Sequence, residues 1–280
     1  MLTAPRLEID PITPAVGAVI SGVDLTRPLD PDTVAEIRAA LLQHGAVFFR
    51  DQEMTQPQTV AFLKYFGRPC IDPYAAKVRG DVPEEHTVHD MRTDNDNAKA
   101  TQFWHIDSSH AAEPAAMVLL RALELPPSGG GDTCWASMYA AYDALSEPIR
   151  KMIDPMEAVH SDFRTLPLLE RSYTTHLEKG LSTTHPVVRV HPETGRKALF
   201  VNELWTERLV GVSEFESACI LNMLFEHVRR PDFTMRWRWR RNDLVLWDNC
   251  AFQHYAVRDY SGKRLLQKGL LKGERPYGPN

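Results

Sequence analysis

Residues 241–260 read RNDLVLWDNCAFQHYAVRDY, and the fold turns on them. The apolar run Leu244-Val245-Leu246-Trp247 follows an Asn242-Asp243 turn signal, as a buried strand would. His254 then falls just after that strand, where an imidazole can ligate a metal. Its natural partners lie far away in the chain. They are His105 and Asp107 of FWHID on one side and Arg264 of GKRLLQ on the other.

The rest of the composition suits such a site. With 280 residues, 43% of them hydrophobic and 25% charged, the chain can bury a sizeable core, and a single domain over 1–280 is expected. A formal net charge of -5 argues against a nucleic-acid or anionic-membrane surface. Cys70, Cys134, Cys219 and Cys250 have no Cys-x-x-Cys spacing, so buried free thiols are expected rather than a zinc site or a disulfide framework. The opening MLTAPRLEID lacks a basic region followed by an apolar run, and no run of about 18 apolar residues occurs, so a cytoplasmic protein is expected.

Working along the chain, residues 16–25 (VGAVISGVDL) read as a strand broken by glycine. A helix follows, capped by Asp30, with Pro31 in its first turn, Val34, Ile37 and Leu41 on one face, and Gly45 after its end. AVFFR returns as a strand, and a second helix covers about 57–66. Residues 76–102 are polar and lack periodicity, which predicts a long loop leading into FWHID, an active-site lid or, on composition alone, a disordered segment. Strands are expected over 117–125 and 133–136, a helix over 137–153, and a hairpin over 185–202 around Pro-Glu-Thr-Gly. Ser213 and Glu216 form a capping box for a helix that turns Cys219, Ile220, Met223, Leu224 and His227 to one side. Met235, Trp237 and Trp239 alternate with Arg236, Arg238 and Arg240, as in a strand with one buried face, and the turn at Asn242-Asp243 makes it half of a hairpin. Residues 161–184 carry no clear pattern.

A His-x-Asp triplet is weak evidence, and the chain has two, His105-Ile106-Asp107 and His160-Ser161-Asp162. Context favours the first, which follows a long loop and an aromatic pair and precedes an apolar strand. His160 is expected to be a surface or capping residue. Two histidines and one carboxylate suit Fe(II), because they leave open positions for a bidentate 2-oxoacid and dioxygen, although zinc would use the same residue types. Arg264, in an expected strand after His254, favours iron, since its guanidinium fork matches a carboxylate.

At this point the chain resembles the iron(II)/2-oxoglutarate-dependent taurine dioxygenase (TauD/TfdA) family, almost from end to end. The resemblance is carried by GAVISGVDLTRPL, VFFRDQ, FWHID, LPPSGGGDTCWASMYAAYDALS, HPVVRVHPETGRKALFVNE and WDNCAFQHYAVRDY. It implies a mainly β fold with flanking helices around a double-stranded β-helix (jelly-roll) core. It also implies that His105, Asp107 and His254 hold Fe(II), and that Arg264 and Thr133 bind the distal carboxylate of 2-oxoglutarate. The activity implied is oxidative decarboxylation of 2-oxoglutarate to succinate and CO2, with O2 consumed, coupled to hydroxylation of a small organic substrate. Relatives commonly form dimers or tetramers, so a homo-oligomer is expected.

The chain departs from that family at the substrate end. Taurine and alkylsulfate members place an arginine where this chain has Lys268, and a sulfonate-binding histidine where it has Asp72, with Tyr74 nearby. Asn95 and Asn97 are further substrate candidates. A lysine lacks the planar fork, and an aspartate repels a sulfonate, so taurine is expected to be a poor substrate. Asp72 and Lys268 are expected to pair across the pocket; the alternative is that Lys268 points to solvent and the substrate's anchor lies in the lid loop. The same oxidant could instead give desaturation, cyclisation or epimerisation, and a non-catalytic jelly-roll that binds a metal or ligand is the alternative of another class.

Overall fold

Strands, rather than the helices that flank them, carry the chain through its core. The computed structural model describes residues 7–72, 82–83, 86–93, 102–162 and 181–279, which contain sixteen strands and five α-helices. The largest sheet has eight strands. Its path runs from β1 (Glu8–Pro11) through β2 (Ala18–Ser21), β3 (Ala46–Phe49), β14 (Leu244–Asp248), β6 (Met117–Glu124) and β16 (Arg264–Leu271) to β4 (Pro69–Cys70), with β5 (His89–Thr93) also on β16. A second sheet orders β13 (Thr234–Trp237), β7 (Thr133–Ser137) and β15 (Phe252–Ala256), and a third orders β12 (Thr206–Leu209), β8 (Glu157–Ser161) and β9 (Ser182–Pro186). β10 (Val188–Val190) and β11 (Lys197–Leu199) form the expected hairpin, with Gly195 at φ 68 in its turn.

The run LVLWD is buried at every position because β14 sits between β3 and β6 with both faces covered. Val47, Phe49, Leu244, Leu246 and Leu119 point towards α1 (Pro31–His44) and α2 (Gln56–Lys64). Phe48, Val245, Leu120 and Trp247 point the other way, into a core shared with the β13-β7-β15 sheet. There Phe48 stacks on Trp237 at 4.3 Å and meets Trp135 edge-on at 5.2 Å. The period of two in each strand thus feeds two cores from one sheet.

Local signals set the helix ends. Asp30 accepts the Thr33 N–H at 2.9 Å, and the Gly45 N–H closes α1 on the Leu41 carbonyl at 2.7 Å. Gly45 has φ 74, and a Cβ there would lie 1.9 Å from the Phe252 ring, so both its conformation and its space exclude a side chain. Thr55 and Gln58 form a capping box on α2, and Ser213 and Glu216 form one on the last long helix.

Several expectations are corrected. The segment 76–102 is not all loop, because β5 pairs with β16 from Thr93↔Arg264 to His89↔Lys268, while 76–81, 84–85 and 94–101 lie outside the described residues. The helix expected over 137–153 is two, α3 (Met138–Asp143) and α4 (Glu147–Ile153), because Ser146 and Pro148 start a new one. The last helix, α5 (Glu214–Val228), buries Ser217, Leu221, Leu224 and Val228, one position round from the expected face, and leaves Cys219 and Met223 exposed. Of the thiols, only Cys250 is buried. The Trp/Arg alternation of β13 holds, but β13 pairs with β7 rather than forming a hairpin with β14. Among the described residues no helix is long and apolar enough to cross a membrane.

Candidate metal and co-substrate site

Two backbone hydrogen bonds bring the site together. His105 N donates to the His254 carbonyl at 3.0 Å and His254 N to the His105 carbonyl at 2.9 Å, an isolated antiparallel bridge that sets the imidazole centroids 4.0 Å apart. His254 is held from the other side by β7, opposite Trp135. Asp107 lies two residues beyond His105, at the start of a turn in which Ser108 adopts φ 59. The Asn249 side chain clamps it there, accepting from Asp107 N at 3.0 Å and donating to the Asp107 carbonyl at 2.9 Å and the Ala115 carbonyl at 2.8 Å. Sequence reasoning missed Asn249. Its position in WDN, directly after the central strand, was the available signal.

One ligand atom each from His105, Asp107 and His254 lies within 4.8 Å of the other two, and all three residues are buried. His105 Nε2 is 3.7 Å from Asp107 Oδ1, and His254 Nε2 is 4.0 Å from Oδ2. His105 Nδ1 sits 2.8 Å from the Phe103 carbonyl and therefore carries the proton, which leaves the Nε2 lone pair turned towards Asp107. Burial lowers the pKa of both imidazoles, His254 well below the ordinary histidine value. For Asp107, burial pushes upward, but Lys268, then His254 and His105, outweigh it and hold the carboxyl below its usual range. An ionised carboxylate and two neutral imidazoles converge here, as a divalent cation requires.

Lys268 reaches this space, but its partner is not the expected one. Lys268 Nζ lies 2.9 Å from Asp107 Oδ2, whereas Asp72 accepts from Ser108 Oγ at 3.2 Å. The expected Asp72–Lys268 pair is therefore replaced by a Lys268–Asp107 pair, because β16 runs its side chain inward beside the histidines. Tyr74, Asn95 and Asn97 lie outside the described residues.

Arg264 opens β16 and enters the same cavity, whose walls include His105, His254, Thr133 and Lys268. It is 3% exposed, its Nη2 donates to Thr133 Oγ1 at 3.3 Å, and its Nε has no partner. Burial lowers its pKa to about 10, opposed by Tyr260 and Asp132, and among the described residues no carboxylate forms an ion pair with it. Gly131 lets it lie flat, since a Cβ there would approach the Arg264 Cδ to 3.0 Å. Thr133 Oγ1 also accepts from Trp239 Nε1 at 3.0 Å, so its own proton is free to be donated.

His160 is not a surface residue. It is fully buried, with Nδ1 3.0 Å from Ser109 Oγ, Nε2 3.4 Å from Thr206 Oγ1, and its ring stacked on Phe200. It lies outside the His105 group all the same. A further cluster, His191, Asp248 and Cys250, also brings ligand-type atoms together. There His191 Nδ1 accepts from Glu193 N at 3.2 Å and Thr194 N at 3.1 Å, so Nε2 carries the proton towards Asp248 Oδ2 at 3.0 Å. Burial pushes the Cys250 thiol up to about 12. That group pins the β10–β11 turn to the end of β14 and offers a cation no free lone pair on the imidazole.

Residues 8–270 match the family model described as taurine catabolism dioxygenase TauD, TfdA family. The alpha-ketoglutarate-dependent sulfate ester dioxygenase of Pseudomonas putida is 36% identical over 292 aligned residues, which cover 99% of this chain and 94% of that one. A solved taurine dioxygenase from Burkholderia xenovorans superposes with a TM-score of 0.83 at 37% identity, covering 98% of this chain and 94% of that one. The structure of AAD-2 in complex with Mn(II) and N-oxalylglycine superposes with a TM-score of 0.80 at 29% identity, covering 97% and 99%. The chain belongs to the TauD, TfdA family and is an Fe(II)- and 2-oxoglutarate-dependent dioxygenase.

Proposed function

We propose that the chain is a single domain with a jelly-roll core that hydroxylates a small organic molecule other than taurine, releasing succinate and CO2. In this scheme His105, Asp107 and His254 hold Fe(II), and Arg264 with Thr133 receives the distal carboxylate of 2-oxoglutarate. Lys268 and Asp72 belong to the substrate side. The eight-stranded sheet packed against the β13-β7-β15 sheet supports the jelly-roll. Cytoplasmic location and assembly as a dimer or tetramer rest on composition and family resemblance.

The observation that carries this scheme is the buried guanidinium of Arg264, without a carboxylate partner among the described residues, in the cavity lined by His105 and His254, two of the three residues whose ligand atoms converge. A buried cation needs a counter-charge, and a dicarboxylate reaching from the metal to Arg264 supplies it. Arg264 offers the planar fork and the Thr133 hydroxyl adds a third donor, so the ligand is held by direction as well as by charge. The Phe103 carbonyl fixes the His105 ring with its Nε2 lone pair inward, and the backbone bridge sets His254 beside it. Leu120, Trp247 and Leu266 line the cavity and keep bulk water from the reacting centre. Bound there, Fe(II) would supply the oxygen-activating chemistry that no side chain offers.

The test is succinate formation from 2-oxoglutarate, with Fe(II) and air, across a panel of sulfate esters, aryloxyalkanoates, amino acids and taurine. Iron-dependent succinate is expected, stimulated by one of the non-taurine classes. Robust stimulation at micromolar taurine removes the substrate statement, and no succinate under any condition removes the enzyme.

A further inference from the structure

β16 carries one face of the active site onward past the metal-binding residues. Arg264, Leu266 and Lys268 line the co-substrate cavity, and Leu270 and Lys272, the next residues on the same side of the strand, line a second cavity of about 510 Å³. Leu266 and Leu270 share the inner core whereas Leu271 turns to the helices, so the alternation holds to the end of the strand. At about 3.3 Å per residue, Lys272 stands roughly 13 Å along β16 from Lys268. The facing wall, formed by Ala111, Ala112, Glu113 and Ala115, continues the turn that begins at Asp107. Asn249 ties the two ends of that wall together, donating to the Asp107 carbonyl at 2.9 Å and the Ala115 carbonyl at 2.8 Å. Both walls of the second cavity thus lead back to the metal-binding residues, and its volume is that of a small-molecule site.

Inside, Pro69, Ile71, Ala115 and Leu270 give the cavity apolar walls, while Arg68, Glu113 and Lys272 are exposed at its mouth. The charges there are arranged as a sheet alone does not favour. β4 pairs with β16 in the register Leu270↔Cys70 and Leu271↔Pro69, and Lys272 N donates to the Arg68 carbonyl at 2.9 Å, which sets Arg68 opposite Lys272. Like charges directly opposite one another destabilise a strand pair. Glu113 is the one carboxylate among the described residues that line the cavity, and it meets Lys272 at 3.2 Å. Two cations therefore face one anion. A second anion at the mouth would relieve the repulsion, and Arg68 offers it a planar fork. We infer that this cavity receives the body of the organic substrate, an apolar chain or ring whose anionic terminus, a carboxylate or a sulfate, is held by Arg68 and Lys272. The inference rests on the function proposed above and names its substrate class. Such a substrate enters with its apolar end first and presents to the metal a C–H bond remote from its charge.

The experiment uses the holoenzyme without dioxygen, following the visible absorption that Fe(II) and 2-oxoglutarate give together, with octanoate, octyl sulfate, octanol and butyrate as probes. In the wild type, one of the two eight-carbon anions is expected to perturb that absorption at a concentration at least about tenfold below octanol and butyrate, the worth of one charge-assisted hydrogen bond. Which of the two does so identifies the anionic group. The double variant Arg68→Gln, Lys272→Gln should weaken that anion by about tenfold and leave octanol within about twofold. Both side chains are exposed, so the variant leaves the core intact. Ala112→Leu, which narrows the cavity, should weaken the eight-carbon anion and octanol alike. Octanol or butyrate acting at as low a concentration as the eight-carbon anions overturns the inference. So does a wild type blind to every probe, or a double variant that loses nothing. Failure of the proposed function is separable, because the absorption would then be missing before any probe is added.

Discussion

The chain contains the form His-x-Asp twice, and comparing the two copies shows what makes a site. His105-Ile106-Asp107 and His160-Ser161-Asp162 are both buried at the histidine and at the aspartate, so burial does not separate them. Hydrogen bonding does. His160 has a hydroxyl near each ring nitrogen, and Asp162 accepts the Leu181 N–H at 2.9 Å. His105 spends one nitrogen on the Phe103 carbonyl and keeps the other facing Asp107, and the bridge to His254 adds a second lone pair. The first copy holds chemistry in reserve and the second holds the fold.

That contrast is broken or sharpened most strongly by paired substitutions. Asp107→Ala should abolish succinate formation linked to product, a loss beyond the roughly 100-fold that removing a mere supporting partner can cost, and should abolish Fe(II) retention in equilibrium dialysis. His160→Phe should keep Fe(II) affinity within about twofold while lowering the melting temperature, because two buried hydroxyls each lose one of their hydrogen-bond partners. If His160→Phe releases iron while Asp107→Ala keeps it, the two copies have been assigned the wrong way round. The next effect in size lies at the other end of the cavity. Arg264→Ala should raise the KM for 2-oxoglutarate by about 30-fold or more, as expected for losing a buried charge-assisted partner, and Arg264→Lys should recover little of it because the fork is gone. A KM unchanged in Arg264→Ala would detach Arg264 from the co-substrate.

The fold-holding histidines make a smaller and differently shaped prediction. Burial lowers the His185 pKa to about 4, and His160 lies well below the ordinary value. The unfolded chain, with histidines near 6.5, then binds more protons than the folded one between about pH 6.5 and 4, so stability is fully present above that window and falls as the pH drops through it. For His185 alone the loss is on the order of 3 kcal/mol across the window. Urea unfolding midpoints at pH 7 and pH 4.5 should show the drop, and His185→Gln should flatten it. A midpoint independent of pH would contradict the burial of these rings.

Much of the site was legible because its signals are local. FWHID, the residues around His254 and Arg264 each announce a residue type beside an expected strand, and the capping residues of α1 and α5 mark their helices. What was not legible depends on pairing across long stretches of chain. The Trp/Arg strand turns its faces as alternation predicts, yet its partner is β7, about a hundred residues away, and nothing in FTMRWRWRRNDLVLWDN says so. The polar segment that hides β5 lacks periodicity because β5 borrows its register from β16. His160 read as a surface residue because the hydroxyls that satisfy it come from Ser109 and Thr206. Asn249 and Lys268 act through atoms of Asp107 that sequence order places over a hundred residues away.

Lys268 gives the smallest effect. Its ammonium lies against Asp107 Oδ2 and so occupies part of the charge that a metal ion would claim. Binding Fe(II) must therefore displace the lysine from the carboxylate or tolerate a like charge beside it. Either way the lysine weakens the metal site until an anion arrives to neutralise it. Both side chains are mostly buried, at 17% and 9% exposure, so the pair is screened less than a surface pair, and its removal is worth about 1 kcal/mol. Lys268→Met should tighten Fe(II) binding about fivefold in the absence of 2-oxoglutarate, with a smaller gain once 2-oxoglutarate is bound, because the added negative charge already satisfies the lysine. Titration with Fe(II) under anaerobic conditions, with and without 2-oxoglutarate, separates the two. If Lys268→Met weakens the metal instead, the lysine supports Asp107 in its ligating position, and its contact belongs to the holding of the site rather than to competition for it.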